Sequence, residues 1–143
     1  MADRKASATW KGDLFEGEGV VTAASSSLFT YALGTWVSRT EDPEGKTSPE
    51  ELIAAAHAAC FCMALSNELA TRGHPPARLS VDAVCTFVPG EGVTTMALDV
   101  TAEIPDLDDT GFREGLDAAE ESCPVSGALR NNVDIRVTGR LAA

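Results

Sequence analysis

Basic residues are scarce in this chain. Lys and Arg number 11 against 22 Asp and Glu, so the formal net charge is −11 at pH 7. A surface of that sign repels phosphate, which argues against nucleic acid or anionic lipid as the main partner. No basic run reverses the argument. Aromatics are sparse at 6%, yet apolar residues reach 44% and charged residues 23%, and these globular values exclude a disordered or collagen-like chain. Long apolar runs are missing too. Met1 to Lys5 leads into Ala6-Ser7-Ala8-Thr9-Trp10 and not into an apolar signal region. The longest mostly apolar stretch, Leu52 to Leu65, falls short of the roughly 20 residues of a spanning helix and suits a buried one. No membrane partner is expected, and the expected location is the cytoplasm. Internal repeats, linkers and low-complexity segments are absent. The 143 residues fit one domain, residues 1–143, large enough to bury a core without staples.

What is present reads as α+β. Ser7 to Trp10, Val20 to Thr22 and Leu28 to Val37 carry β-branched and aromatic residues bounded by Gly, Asp and Ser, the pattern of a hairpin meander. Residues 41–47 are turn chemistry, with Pro43 and Gly45. A helix start follows: Ser48 as N-cap, Pro49 at N1 and Glu51 completing a capping box. This helix should run to about Thr71, with Gly73 as its stop. Its middle, Ile53 to Leu65, is apolar on every face, which predicts burial all round. A chain of this size would struggle to enclose it, so a second subunit is expected to help. Leu79 to Val88 and Val93 to Ile104 read as a hairpin around Pro89 to Gly92. A second helix is expected over Asp108 to Glu121, capped by Asp109 or Thr110. A short helix from Cys123-Pro124 to Leu129 and a strand over Val133 to Leu141 complete the chain.

In a cytoplasmic chain, cysteines are more often catalytic or metal-bound than structural disulfides. The four here are Cys60, Cys62, Cys85 and Cys123. Cys60 and Cys62 are about 200° apart around a helix, so they can share neither a metal nor an unstrained disulfide. Cys62 and Cys85 read most simply as packing. Cys60 is either a small core side chain or a nucleophile. His57 lies on its face of the helix, which allows a Cys–His pair, although a hydrogen-bonded core histidine is the plainer reading. No recognisable zinc spacing is present, so no metal or other cofactor is expected. Cys123 stands next to a helix N-terminus, where the dipole and unbonded N–H groups favour a thiolate; a partly exposed cap residue is the alternative. Mid-helix, Cys60 has no such help. If reactive, it needs a nearby cation, and Arg39 is placed to reach back to the helix.

The segment Ser48-Pro-Glu-Glu-Leu-Ile-Ala-Ala-Ala-His-Ala-Ala-Cys-Phe-Cys-Met-Ala-Leu-Ser66 closely resembles the signature of the OsmC family, the osmotically inducible protein C and organic hydroperoxide resistance proteins. Cys123-Pro-Val-Ser126 resembles that family's second cysteine motif. Ala8 to Gly12 and the region from Trp36 to Gly45 fit as well, so the resemblance spans essentially the whole chain. It implies a thiol peroxidase reducing organic hydroperoxides. Cys60 matches the peroxidatic cysteine, Cys123 the resolving cysteine, Glu50 the acid of the Pro-Glu motif and Arg39 the arginine of the OsmC branch. The hydroperoxide resistance branch places its arginine earlier, and residues 13–20 contain none. The implied fold is an intertwined homodimer, with antiparallel sheets wrapped around central buried helices. The implied reductant is a dithiol, a dihydrolipoyl group carried on a protein. Cys62 stands where family members commonly carry Ser, and Ser48 where Asn is frequent.

Two readings compete: a Cys60–His57 hydrolase, and a non-catalytic stress protein holding an apolar ligand. Geometry adds a constraint on the peroxidase. Glu50 and Cys60 lie about 15 Å apart along a straight helix. Either the helix breaks after Glu50, or Arg39 or Glu50 reaches Cys60 from a second subunit. Apolar neighbours of Cys60, with Ala54, Ala55 and Phe61 among them, are expected to favour an organic peroxide.

Overall fold

The computed structural model describes residues 1–142. In sequence order the elements are β1 (Ser7–Lys11), β2 (Glu18–Thr22), β3 (Ala32–Gly34), α1 (Trp36–Thr40), α2 (Pro49–Thr71), β4 (Arg78–Val88), β5 (Gly92–Glu103), α3 (Asp109–Ser122), α4 (Pro124–Leu129) and β6 (Asp134–Leu141). The α+β expectation holds. The chain forms two compact units, Met1–Leu52 and a second from Ile53 onward. Their boundary falls in the first turn of α2.

The first unit is an antiparallel sheet in the order β1-β2-β3. Gly19 of β2 lies under Trp10: a Cβ there would stand 2.7 Å from Trp10 Cε3, so only glycine fits. The long third strand expected over Leu28 to Val37 is not formed. Only Ala32–Gly34 pairs, and Trp36–Thr40 is helical. The cause is local. The Thr35 hydroxyl accepts from the Ser38 N–H at 3.1 Å, and the Ser38 hydroxyl accepts from the Thr35 N–H at 2.8 Å. This capping box outweighs the β propensity of Trp36 and Val37.

α2 starts at Pro49, with the Ser48 hydroxyl accepting from the Glu51 N–H at 3.1 Å. The expected capping box is half made: the Glu51 carboxylate takes the Thr47 hydroxyl at 2.8 Å instead of closing on Ser48. At the other end the His74 N–H bonds the Leu69 carbonyl at 2.9 Å and the Gly73 N–H that of Ala70 at 3.0 Å. These are the two bonds of a Schellman stop, and Gly73 has the left-handed φ of 85° it requires. The helix is longer than its apolar middle, and by length and composition alone it could cross a bilayer, a test that core helices also pass. Within one chain it is not buried all round. His57, Phe61, Leu65 and Leu69, spaced by four, are fully buried. Ala55, Ala56, Ala59 and Met63 on another face are exposed, because one chain supplies a layer for one face only.

That buried face packs into the core of the second unit. β5 alternates, with Met96, Leu98, Val100 and Ala102 inward, and α3 adds Phe112, Leu116 and Ala119. The sheet order is β4-β5-β6, with β4 and β5 the expected hairpin. β6 departs from the expected antiparallel pairing and runs parallel to β5. α3 and α4 provide the crossover that a parallel pair needs. Gly139 lets α3 sit close on β6: a Cβ there would meet Leu116 Cδ1 at 2.7 Å. α3 is capped by Asp108, one residue before the expected positions, through the Gly111 N–H at 2.8 Å.

Candidate active site

The first unit brings Arg39 and Glu50 together. α1 places Arg39 in its last turn, and Glu50 sits in the first turn of α2. Arg39 Nε is 3.1 Å from both Glu50 carboxylate oxygens, and Nη2 is 2.8 Å from Oε1. This forked geometry is available to guanidinium and not to ammonium. Glu50 is buried, while the Arg39 side chain keeps 30% of its surface exposed, so the carboxylate anchors and the cation presents. The guanidinium also lies 5.9 Å from the centroid of the Trp36 ring, and Trp36 meets Phe15 edge to face. Beside the pair is a cavity of about 670 Å³ whose lining includes Trp10, Leu14, Val20, Trp36, Arg39 and Leu52. The walls are mainly apolar, with Arg39 their one charged side chain among the described residues.

The second unit brings Cys60 and Cys123 together. All four cysteines are thiols, with Cys123 buried and the other three half-buried. Cys60 lies mid-way along α2, and Cys123 joins α3 to α4. Their sulfurs interact, and the Val125 N–H acts on both. Burial pushes the Cys60 thiol up, the Val125 N–H partly offsets this, and the neighbouring Cys123 pushes it up further. Burial opposes charge on Cys123 too. The amide and hydroxyl of Ser126, the Cys60 thiol and the Val125 N–H outweigh it and bring Cys123 below its ordinary value. None of the first-turn amides closes a full capping hydrogen bond on the sulfur, so their effect is electrostatic. Cys62 is pushed up by burial alone.

His57 does not pair with Cys60. Its Nε2 lies 2.7 Å from Ser126 Oγ, and both residues are fully buried. Burial lowers the His57 pKa, and Glu120 opposes this weakly, so the imidazole is neutral at pH 7. Phe61, expected as a wall of the site, is fully buried in the core and lines nothing accessible. The predicted residues thus fall into two pairs, Arg39–Glu50 in one unit and Cys60–Cys123 in the other. Sequence reasoning quoted Ser126 in a motif and gave it no role. The available signal was its place one turn into a cysteine-capped helix, where a hydroxyl can turn back toward the sulfur.

Residues 41–138 match the family of OsmC-like proteins. A relative in Escherichia coli (strain K12), peroxiredoxin OsmC, is 37% identical over 138 residues, which cover 92% of this chain and 93% of the relative. The organic hydroperoxide resistance protein OhrB of Bacillus subtilis (strain 168) is 33% identical over 93 residues, 64% of this chain and 68% of that one. The OhrB crystal structure superposes with a TM-score of 0.67 at 25% identity, covering 95% of this chain and 98% of that one. An OsmC-like protein from Mycoplasma pneumoniae shares the fold, with a TM-score of 0.72 at 16% identity over 99% of both chains. The family match, the relative matched over nearly its whole length and the paired cysteines agree: the chain belongs to the OsmC family.

Proposed function

We propose that this protein is a thiol peroxidase that reduces organic hydroperoxides to alcohols. The observation that carries the reading is the meeting of Cys60 and Cys123 inside one unit, in a relative of peroxiredoxin OsmC. The Cys60 thiolate attacks the outer peroxide oxygen. An S–O bond forms, the O–O bond breaks, and the alkoxide leaves with a proton as alcohol. The Cys123 thiolate then attacks the Cys60 sulfenic acid. An S–S bond forms, and hydroxide leaves with a proton as water. A dithiol, which we take to be a protein-borne dihydrolipoyl group, supplies two electrons and two protons to restore both thiols.

Cys60 needs a cation, because its own surroundings push its thiol up. We assign that role to Arg39, oriented by Glu50. α2 is unbroken from Pro49 to Thr71, so the alternative of a helix break after Glu50 falls away. With Glu50 about 15 Å before Cys60 along that helix, the reading calls for an Arg39–Glu50 pair from a second copy of the chain. The exposed alanine face of α2 is consistent with a homodimer. The apolar cavity beside Arg39 suits the alkyl part of a hydroperoxide better than hydrated hydrogen peroxide. We place the enzyme in the cytoplasm, where a reducing environment keeps such thiols in cycle.

The test is a stopped-flow comparison of cumene hydroperoxide and hydrogen peroxide, with dihydrolipoamide or thioredoxin as reductant, alongside sedimentation. The expected result is a preference for cumene hydroperoxide with dihydrolipoamide, in a dimer. Full activity in a monomer at the assay concentration refutes the composite site. Normal turnover by Cys60→Ser refutes the mechanism.

A further inference from the structure

His57 and Ser126 are both fully buried, and the mechanism above uses neither. Two polar side chains in a core are costly unless they bond, and these do, at 2.7 Å across 69 residues of sequence. The bond leaves a remainder. His57 Nδ1 is buried with no hydrogen-bond partner among the described residues. Buried N–H groups without acceptors are the rarer kind of orphan, and buried lone pairs are more readily tolerated. We therefore assign the lone pair to Nδ1 and the hydrogen to Nε2. His57 then donates to Ser126 Oγ, and the Ser126 proton is left to seek an acceptor of its own. A neutral imidazole is what burial enforces.

Ser126 lies in the first turn of α4, whose cap is Cys123, and its hydroxyl acts on the Cys123 sulfur. With His57 Nε2–H given to Oγ, the Ser126 proton is left to point at the Cys123 sulfur, which caps the same helical turn. Each bond in such a chain strengthens the next. We propose that His57 and Ser126 are positioning residues for Cys123: together they hold its sulfur as a hydrogen-bonded thiolate turned toward Cys60. Two other titratable groups face this chain, Cys60 from α2 and Glu120 from α3.

The consequence falls on both halves of the disulfide cycle, and in this respect the proposal rests on the resolving role of Cys123. On closure, the thiolate attacks the sulfenic sulfur without first losing a proton to solvent, which a fully buried thiol could not easily do. On reduction, the Cys123 sulfur leaves as a thiolate into the same hydroxyl, and a lower pKa makes a thiol the better leaving group. No proton need pass through His57, whose part is to orient and polarise Ser126.

The decisive measurement is the ultraviolet titration of the thiolate in a Cys60→Ser background. The share of Cys123 is the difference from the Cys60→Ser/Cys123→Ser protein. Ser126→Ala should raise the Cys123 midpoint by about one pH unit, a tenfold loss of thiolate at neutral pH. His57→Gln, which keeps an N–H donor, should raise it less than His57→Ala does. A purely structural serine would move the melting temperature and leave this midpoint in place. An unchanged midpoint in folded Ser126→Ala overturns the relay, whatever the enzyme's turnover. The lifetime of Cys60 sulfenic acid, measured by mass spectrometry in Ser126→Ala with all four cysteines intact, tests the reading it rests on. A longer lifetime supports both claims. A raised midpoint with an unchanged lifetime upholds the relay and refutes Cys123 as the resolving thiol.

Discussion

The two units of this chain are built on opposite terms. Every fully buried apolar side chain named above lies in the second, where α2, β5 and α3 close on one another. The first buries Ser38 and Glu50 but leaves Trp10, Leu14, Phe15, Leu28 and Tyr31 exposed. The second has what a core needs: Cys123 sits inside that core, and Cys60 packs half-buried against it. The first is a thin sheet whose apolar side chains line an open cavity beside a fixed cation. On the proposed function, the thiols would take their shelter from the second unit and the substrate its entrance from the first.

The largest expected effect on this contrast is chemical. Cys60→Ser should reduce hydroperoxide consumption to the background of the reductant alone, and residual steady-state turnover would show that the second unit does not hold the reacting sulfur. Stability should separate the units next. Phe61→Ala removes a fully buried ring and should cost about 3–5 kcal/mol, whereas Leu28→Ala, at a site 83% exposed, should stay within about 0.5 kcal/mol. Urea midpoints compare the two, and equal losses would erase the contrast. Arg39→Lys keeps the charge and loses the fork on Glu50. It should lower kcat/KM about 10- to 100-fold, the loss of hydrogen bonds to charged groups of roughly 1.5–3 kcal/mol. Wild-type kinetics from that variant would leave Arg39 with no role in catalysis.

The smallest effect is on pH dependence. Burial holds the His57 pKa below its ordinary 6.5. Between the folded value and 6.5 the unfolded chain binds more protons, so stability rises with pH across that window and is complete above it. Acidification below about pH 6.5 should weaken the fold, and His57→Gln should flatten that part of the profile. If denaturation midpoints of wild type and variant run parallel through this range, the imidazole is not buried as described.

Much of this was legible in the sequence because its causes are local. Ser48-Pro49 and Gly73 bound α2, and Pro89 to Gly92 turns the hairpin, all within a few residues of what they determine. Arg39, Glu50, Cys60 and Cys123 could be named from their motifs. What escaped has two causes. α1 rests on Thr35 and Ser38, whose capping box competes with two strong strand formers beside it. The parallel β6 and the His57–Ser126 bond depend on contacts between distant segments, which no local pattern encodes. The all-round apolar character of α2 is plain composition, and the face that a single chain leaves exposed agrees with the expectation that one chain would struggle to enclose it.

Cys123 also ends one helix and begins another. Its N–H bonds the Ala119 carbonyl at 2.8 Å, and its carbonyl accepts from the Gly127 N–H at 2.9 Å. The backbone is clamped on both sides, so the sulfur can travel only by rotation about its own Cα–Cβ bond. The disulfide closure proposed above would then need no local melting, and its pace would be that of a rotamer change followed by chemistry. Amide hydrogen exchange in α3 and α4 should therefore be nearly the same in the reduced and oxidised proteins.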